Sequence, residues 1–394
     1  MENSMKYFIT KISSLLILLL PALLGSCSNG REEEPASSIY PEGEGNMVLN
    51  IAPLTRADDD LEKEKLNSLR IVLLDSEGRL KANERITISD MNLIPYTWNF
   101  NTAFGRYSIY VIANEDKIYK YTIEGEEPTK EYENITDRIN NFTLGQSGFA
   151  EFINSIYFSP SYNTGTNYTP IPKSAMYEFD FTQANQNLNV WLVPVAVKFE
   201  VIMKNYRNNE VTIKSIKLNK SGKNNYLMAR LDDNELHRSG LYWIDWLKEV
   251  AKDTQDNSGN DYINDKWGWI TGYYLPTDDH FQDYIVNTPL RIDPGNIVDD
   301  KDPEPAIIEF GPFYYPESKY IDKDTGQQSY SLEFEIATTG EAKTIEKVLP
   351  HVKSLFRNTQ VKITIELNNA NEEIYAEVSM WKELDPVYGT IYPQ

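Results

Sequence analysis

The chain has 394 residues, 59 of them acidic and 38 basic, for a formal net charge of −21. A surface this acidic repels phosphate backbones and anionic headgroups, which excludes nucleic acid and anionic lipid as partners. The single cysteine excludes an internal disulfide, the length allows two domains, and 26 tyrosines set among Asn, Thr and Ser give a β-rich, extracellular character.

The first residues read as an address. Lys6 and Lys11 flank the start of an apolar run from Ile12 to Leu24. That run has the charged n-region and apolar h-region of a signal peptide and is too short to span a bilayer comfortably. It ends in Leu24-Gly25-Ser26-Cys27, which resembles the lipobox of bacterial lipoproteins. Cleavage before Cys27 would make 1–26 the signal peptide, and acylation of Cys27 would supply a multi-chain anchor to the outer membrane. Residues 27–46 are rich in Pro, Gly, Ser and Glu and read as a flexible acidic tether. Within it, Arg31-Glu32-Glu33-Glu34 resembles the export tag of surface lipoproteins of Bacteroidota; a solvated acidic linker fits those residues equally well.

The stretch Met47 to Arg56 comes next. Met47, Leu49 and Ile51 alternate with Val48, Asn50 and Ala52, which predicts one short strand. Pro53 stops it, and Arg56-Ala57 leads into the acidic run Asp58-Asp59-Asp60. An exposed connector of this kind is where proteolysis concentrates, so an arginine-specific protease acting between Arg56 and Ala57 would detach the strand. A first edge strand followed by an ordinary loop fits the same residues.

Leu69 to Leu74 predicts a strand buried on both faces, with a turn at Asp75-Ser76-Glu77-Gly78. Shorter strands are expected at Arg85–Ile88 and from Gly105 to Ile112, with Trp98 and Phe100 following a break at Pro95. Ile135, Ile139 and Phe142 keep helical spacing, and Phe149 and Phe152 begin a second helical turn. Tyr177, Phe179 and Phe181 alternate with acids in another strand. The polar run Ala184–Asn187 reads as a domain boundary, giving 47–186 and 187–394. A long strand from Leu188 to Met203, interrupted at Pro194, opens the second half. Strands follow at Val211–Leu218 and Asn225–Ala229. Between His237 and Asn264 lies an aromatic, partly helical insertion, and Trp243, Trp246, Trp267 and Trp269 cluster in and just after it. Packing of a small subdomain is the ordinary use of such residues; a platform for stacking glycan is the other. The last hundred residues alternate most clearly, at Tyr330–Ile336, Val361–Leu367 and Ile374–Met380. Many short strands and few helices predict an all-β protein of two tandem β-sandwiches, the second carrying the insertion.

No catalytic constellation stands out. His237, His280 and His351 are far apart and lack metal-ligand spacing. No thiol remains for catalysis once Cys27 is acylated, and no nucleophile elbow is present. Asp322 to Gly326 has a calcium-loop look, but Gln327 stands where the loop needs glycine. The sequence therefore predicts no enzyme, no cofactor and no metal.

Several stretches, in this order, resemble the fimbrillin family, the pilin subunits of Bacteroidales fimbriae. They are the lipobox at Cys27, the strand ending in Leu54-Thr55-Arg56-Ala57, Leu69 to Asp75 with Gly78, and Gly105-Arg106-Tyr107 leading to Ala113-Asn114. Ile171-Pro172, Phe356-Arg357-Asn358-Thr359 and Trp381 continue the likeness. The resemblance implies two transthyretin-like sandwiches, lipoprotein export, and removal of the first strand by an arginine-specific protease. It implies that the vacated place of Met47, Leu49 and Ile51 takes a strand from the next subunit's C-terminal tail, here Tyr388 to Gln394 with Tyr388, Ile391 and Tyr392 as anchors. Other fimbrial subunits would be the partners, with a host or bacterial surface ligand for a tip subunit. The enlarged segment 237–298 fits a tip or adhesive subunit, and Arg56 argues against an anchor subunit that keeps its lipid.

Overall fold

The structure is a computed structural model. It describes residues 40–53, 65–89, 95–127, 130–159, 170–219, 221–222, 224–229, 282–296, 304–319, 330–338, 341–349, 352, 354–355, 357–369 and 371–380. Strands dominate it. The first half holds β1 (Glu44–Pro53), β2 (Ser68–Asp75), β3 (Leu80–Thr87), β4 (Tyr96–Ala103) and β5 (Gly105–Ala113). After these come β6 (Lys120–Ile123), β7 (Tyr132–Glu133), two single-turn helices α1 (Ile135–Asn140) and α2 (Phe149–Asn154), β8 (Ile156–Phe158), β9 (Lys173–Phe181) and β10 (Asn185–Pro194).

Two sheets face each other here. One runs β3-β2-β5-β9 and the other β10-β1-β4, and they are continuous only at the corner where β10 meets β9 through Val193↔Ser174 and Pro194↔Lys173. Leu69, Ile71, Leu73, Ile109 and Val111 from the first sheet bury against Met47, Leu49, Ile51, Val190 and Leu192 from the second. The other faces of β2 and β5 are also covered: Val72, Leu74, Tyr110 and Ile112 pack with Ile135, Ile139, Phe149 and Ile153 of the helices. That double burial is why Leu69–Leu74 reads as an unbroken apolar run rather than an alternation. The β2–β3 turn depends on Gly78, whose φ of 71° lies in the left-handed region.

The second half holds β11 (Ala196–Asn205), β12 (Val211–Asn219), β13 (Asn225–Tyr226), β14 (Gln282–Ile292), β15 (Ala306–Pro316) and β16 (Ser318–Lys319). It ends with β17 (Ser331–Thr338), β18 (Glu341–Val348), β19 (Ser354–Leu355), β20 (Thr359–Leu367) and β21 (Glu372–Met380). Its sheets run β15-β11-β20-β21 and β14-β12-β17-β18. Val201, Met203, Ile363 and Ile365 meet Ile213, Ile216, Phe334 and Ile336 between them. The expected all-β pair of sandwiches is what the chain forms.

The two sandwiches share one plan. In the first, the opening strand β1 lies between a parallel neighbour, β10, and an antiparallel one, β4. In the second, the opening strand β11 lies between parallel β20 and antiparallel β15. The facing sheets match strand for strand as well, with β14-β12-β17-β18 standing for β3-β2-β5-β9. No fixed-period repeat in the sequence announces this.

Three sequence expectations change. The long strand expected from 188 to 203 is two strands in different sandwiches, β10 and β11, divided at Val195. The boundary expected at 186/187 falls inside β10, whose Leu188, Val190 and Leu192 belong to the first core. Asn185, Asn187 and Asn189 made that stretch look like a linker because their side chains sit on its outer face. The strand expected at Asn225–Ala229 is regular only over Asn225–Tyr226.

The sandwiches are joined by a buried ion pair. Arg357, 1% exposed, donates from Nε to Glu317 Oε1 at 2.9 Å, and its Nη2 also meets Glu317. The same guanidinium donates to the first sandwich and to the segment after β13, which pairs with β8 there: Nη1 to Ser174 Oγ and to Leu227 O, both at 3.1 Å, and Nη2 to Tyr226 O at 2.8 Å. Five donors in a rigid fork suit this role as no ammonium would.

Candidate functional site

The residues predicted to be displaced, Met47, Leu49 and Ile51, define the site. Each is 0% exposed. They sit on the inner face of β1, and β1 is the central strand of its sheet, not the edge strand that the residues alone also allowed. Leu49 is level with Leu188 on one side and Trp98 on the other; Met47 is level with Phe100, and Ile51 with Val190 and Tyr96. Trp98 and Phe100 stack with ring centroids 5.0 Å apart, and Trp98 Nε1 donates to Glu84 at 2.9 Å, which closes one wall. At the strand's start Gly45 passes so close to Ala184 that an added Cβ would stand 2.8 Å from its backbone, so only glycine lets β1 enter the sheet there.

The slot is mainly apolar, with Gln186 level with Met47 and Glu84 behind Trp98 as its polar borders. Full burial of an aliphatic side chain contributes about 1.5–3 kcal/mol, so these three together contribute roughly 5–9 kcal/mol. That is the size of a whole domain's net stability. β1 also satisfies a ladder on each side, so its loss would expose the facing backbone edges of β10 and β4 at once.

The charged cluster nearest the first core is structural. Arg70, 2% exposed, pairs with the fully buried Glu115, donating from Nη2 at 2.7 Å, and reaches Asn140 at 2.8 Å. Beside it, burial pushes Asp116 up, but hydrogen bonds from Lys117 and Ser68 outweigh this and hold its carboxyl below the ordinary value. Asn114, in the left-handed region at φ 58°, accepts from Asn67 N and donates to Lys65 O and Ile171 O, tying the end of β5 to the segment before β9. Among the described residues no group of three His, Cys, Asp or Glu is placed to hold a metal.

The other expected site residues lie outside the described residues: Cys27, Arg56, Ala57, the tail residues Tyr388, Ile391 and Tyr392, and Trp243, Trp246, Trp267 and Trp269. The three histidines do too. Conversely, the walls Trp98 and Phe100 carry no mark of their role in the sequence, and Arg357 stands there only as part of the family-like run Phe356–Thr359.

Fold and slot together define a class: a two-sandwich β-protein whose opening strand is held mid-sheet by apolar side chains. No protein-family model matches the chain, and no curated protein matches it. Among solved structures, the chain is similar to the C-terminally truncated tip fimbrial protein Mfa3 of Porphyromonas gingivalis, at TM-score 0.48 and 12% identity over 86% of this chain and 100% of that one. It is similar to a cell adhesion protein of Parabacteroides distasonis, at TM-score 0.47 and 12% identity over 87% and 98%. It is also similar to the fimbrilin FimA of P. gingivalis W83, at TM-score 0.44 and 10% identity over 86% and 98%.

Proposed function

We propose that the chain is a structural subunit of a cell-surface fimbrium that supports adhesion. It is exported as a lipoprotein through Cys27, cut between Arg56 and Ala57 by an arginine-specific protease, and polymerised by strand exchange. The burial of Met47, Leu49 and Ile51 in mid-sheet carries this reading. A strand at the start of the chain can leave without disturbing the order of the others, yet the slot it leaves is too apolar to stay open in water. A replacement strand from outside is the physical remedy. Head-to-tail donation from the tail at Tyr388, Ile391 and Tyr392 of a neighbour does not close on itself, so it builds a filament.

The test is mass spectrometry of the N-terminus of protein sheared from the cell surface. A chain that begins at Ala57 and runs as a ladder of polymers upholds the reading. A monomeric chain that begins at acylated Cys27 overturns it and leaves a membrane-anchored surface protein.

A further inference from the structure

The outer face of the sheet β10-β1-β4 is unlike the rest of the molecule. A quarter of the chain's residues are charged, yet β4 and β10 contain no charged residue and β1 only Glu44 at its first position. The outward positions are amides set in rows across the strands. Asn101, Asn46 and Asn185 form one row. Thr97, Asn50 and Asn189 form another, in which Thr97 Oγ1 donates to Asn50 Oδ1 at 3.3 Å and Asn50 Nδ2 donates to Asn189 Oδ1 at 3.4 Å. Between them Val48 lies flanked by Asn99 and Asn187. At the end of the face, level with Ala52, sits Trp191, half-buried. Asn99, Asn101, Asn185 and Asn187 are exposed.

We infer that this face is a binding site for a neutral oligosaccharide. Each amide offers both a donor and an acceptor, which pairs with sugar hydroxyls that also offer both. Val48 supplies apolar surface for the C–H face of a sugar ring, and Trp191, partly buried and packed against the first core, bounds the face at its end. The absence of charge selects against acidic glycans, because the chain's overall field already repels them and nothing on this face compensates. Size decides between sugar and protein. Three strands of about eight residues present a face of roughly 15 Å by 25 Å. A stable protein partner needs about 800 Å² per side, roughly twice that area, whereas a short oligosaccharide fits within it.

The inference concerns the chain with β1 in place, because Asn46, Val48 and Asn50 of β1 form its middle row. It is tested with the uncleaved chain on a printed panel of neutral hexose and N-acetylhexosamine oligosaccharides, alongside sialylated and sulfated ones. Binding to at least one neutral oligosaccharide is expected, weakened at least tenfold in the variant Asn99→Asp/Asn187→Asp, whose positions are exposed and whose melting temperature should not move. Asn208→Asp/Asn369→Asp, the same two-charge change on exposed loops of the second sandwich, should leave binding intact. No neutral glycan bound, binding to acidic glycans alone, or binding equal in the double variant and the parent each overturns the inference. So does a dimer in sedimentation that the double variant abolishes, since the face would then serve a second copy. An uncleaved chain that binds sugar, with no cut at Arg56 found on the cell surface, upholds this inference while ending the strand-exchange reading; an uncleaved chain that binds no sugar, beside cut chains that polymerise, does the reverse.

Discussion

Arg357 shows what a single residue contributes here. Its guanidinium is desolvated, and it meets Glu317 in its own half and Ser174, Tyr226 and Leu227 across the junction. Such a pair adds little over an apolar substitute, but removing one partner strands the other charge in a dry interior. Arg357→Met should therefore cost about 3–5 kcal/mol in urea unfolding, read as a shift in midpoint. Arg357→Met with Glu317→Leu should recover much of that loss, because no charge is then left unpaired. A single variant as stable as the parent would mean that water reaches Glu317 in solution. Arg357 was legible in the sequence only as part of a family-like run. Nothing local distinguishes a buried arginine from a surface one, since its partners Ser174, Tyr226, Leu227 and Glu317 come from three separate stretches of chain.

At the scale of the element, β1 sets two kinds of position side by side. Leu49 is wholly enclosed between Leu188 and Trp98, while Val48, its neighbour in sequence, faces outward between Asn99 and Asn187. Leu49→Ala should destabilise the uncleaved chain by about 2–5 kcal/mol through lost burial and the cavity left behind. Val48→Ala should cost within about 0.5 kcal/mol. Equal effects at the two positions would show that β1 does not sit in the slot in solution. The alternation that predicts this strand was readable because one face is apolar and the other is not. The same is true of the hairpin β20–β21, where Val361, Ile363 and Ile365 point inward. It failed at the start of β10, where three asparagines outweigh the first apolar position and imitate a linker. It could not show that β1 is central rather than an edge. Its neighbours β4 and β10 come from about 50 and 140 residues further along, and strand order across such separations leaves no local trace.

For the whole molecule, charge governs how subunits lie beside one another. In the proposed filament each chain runs from Ala57 and carries −19, the full −21 less the −2 of residues 1–56, so two such filaments side by side would repel over a distance set by salt. The screening length is about 30 Å at 0.01 M and about 8 Å at 0.15 M. Contacts along a filament of the proposed kind are made by buried apolar side chains and a backbone ladder, which salt hardly weakens. Contacts between filaments must overcome the repulsion. Filaments sheared from cells should therefore stay single in low salt and gather into bundles as salt is raised, while their length stays constant. Electron microscopy with light scattering follows both quantities at once. Bundles that come apart as salt rises would mean that paired opposite charges hold them, and the acidic surface would not be what keeps filaments separate. Filaments that shorten with salt would place charged pairs in the joint itself, which the side chains Met47, Leu49 and Ile51 of β1 do not supply.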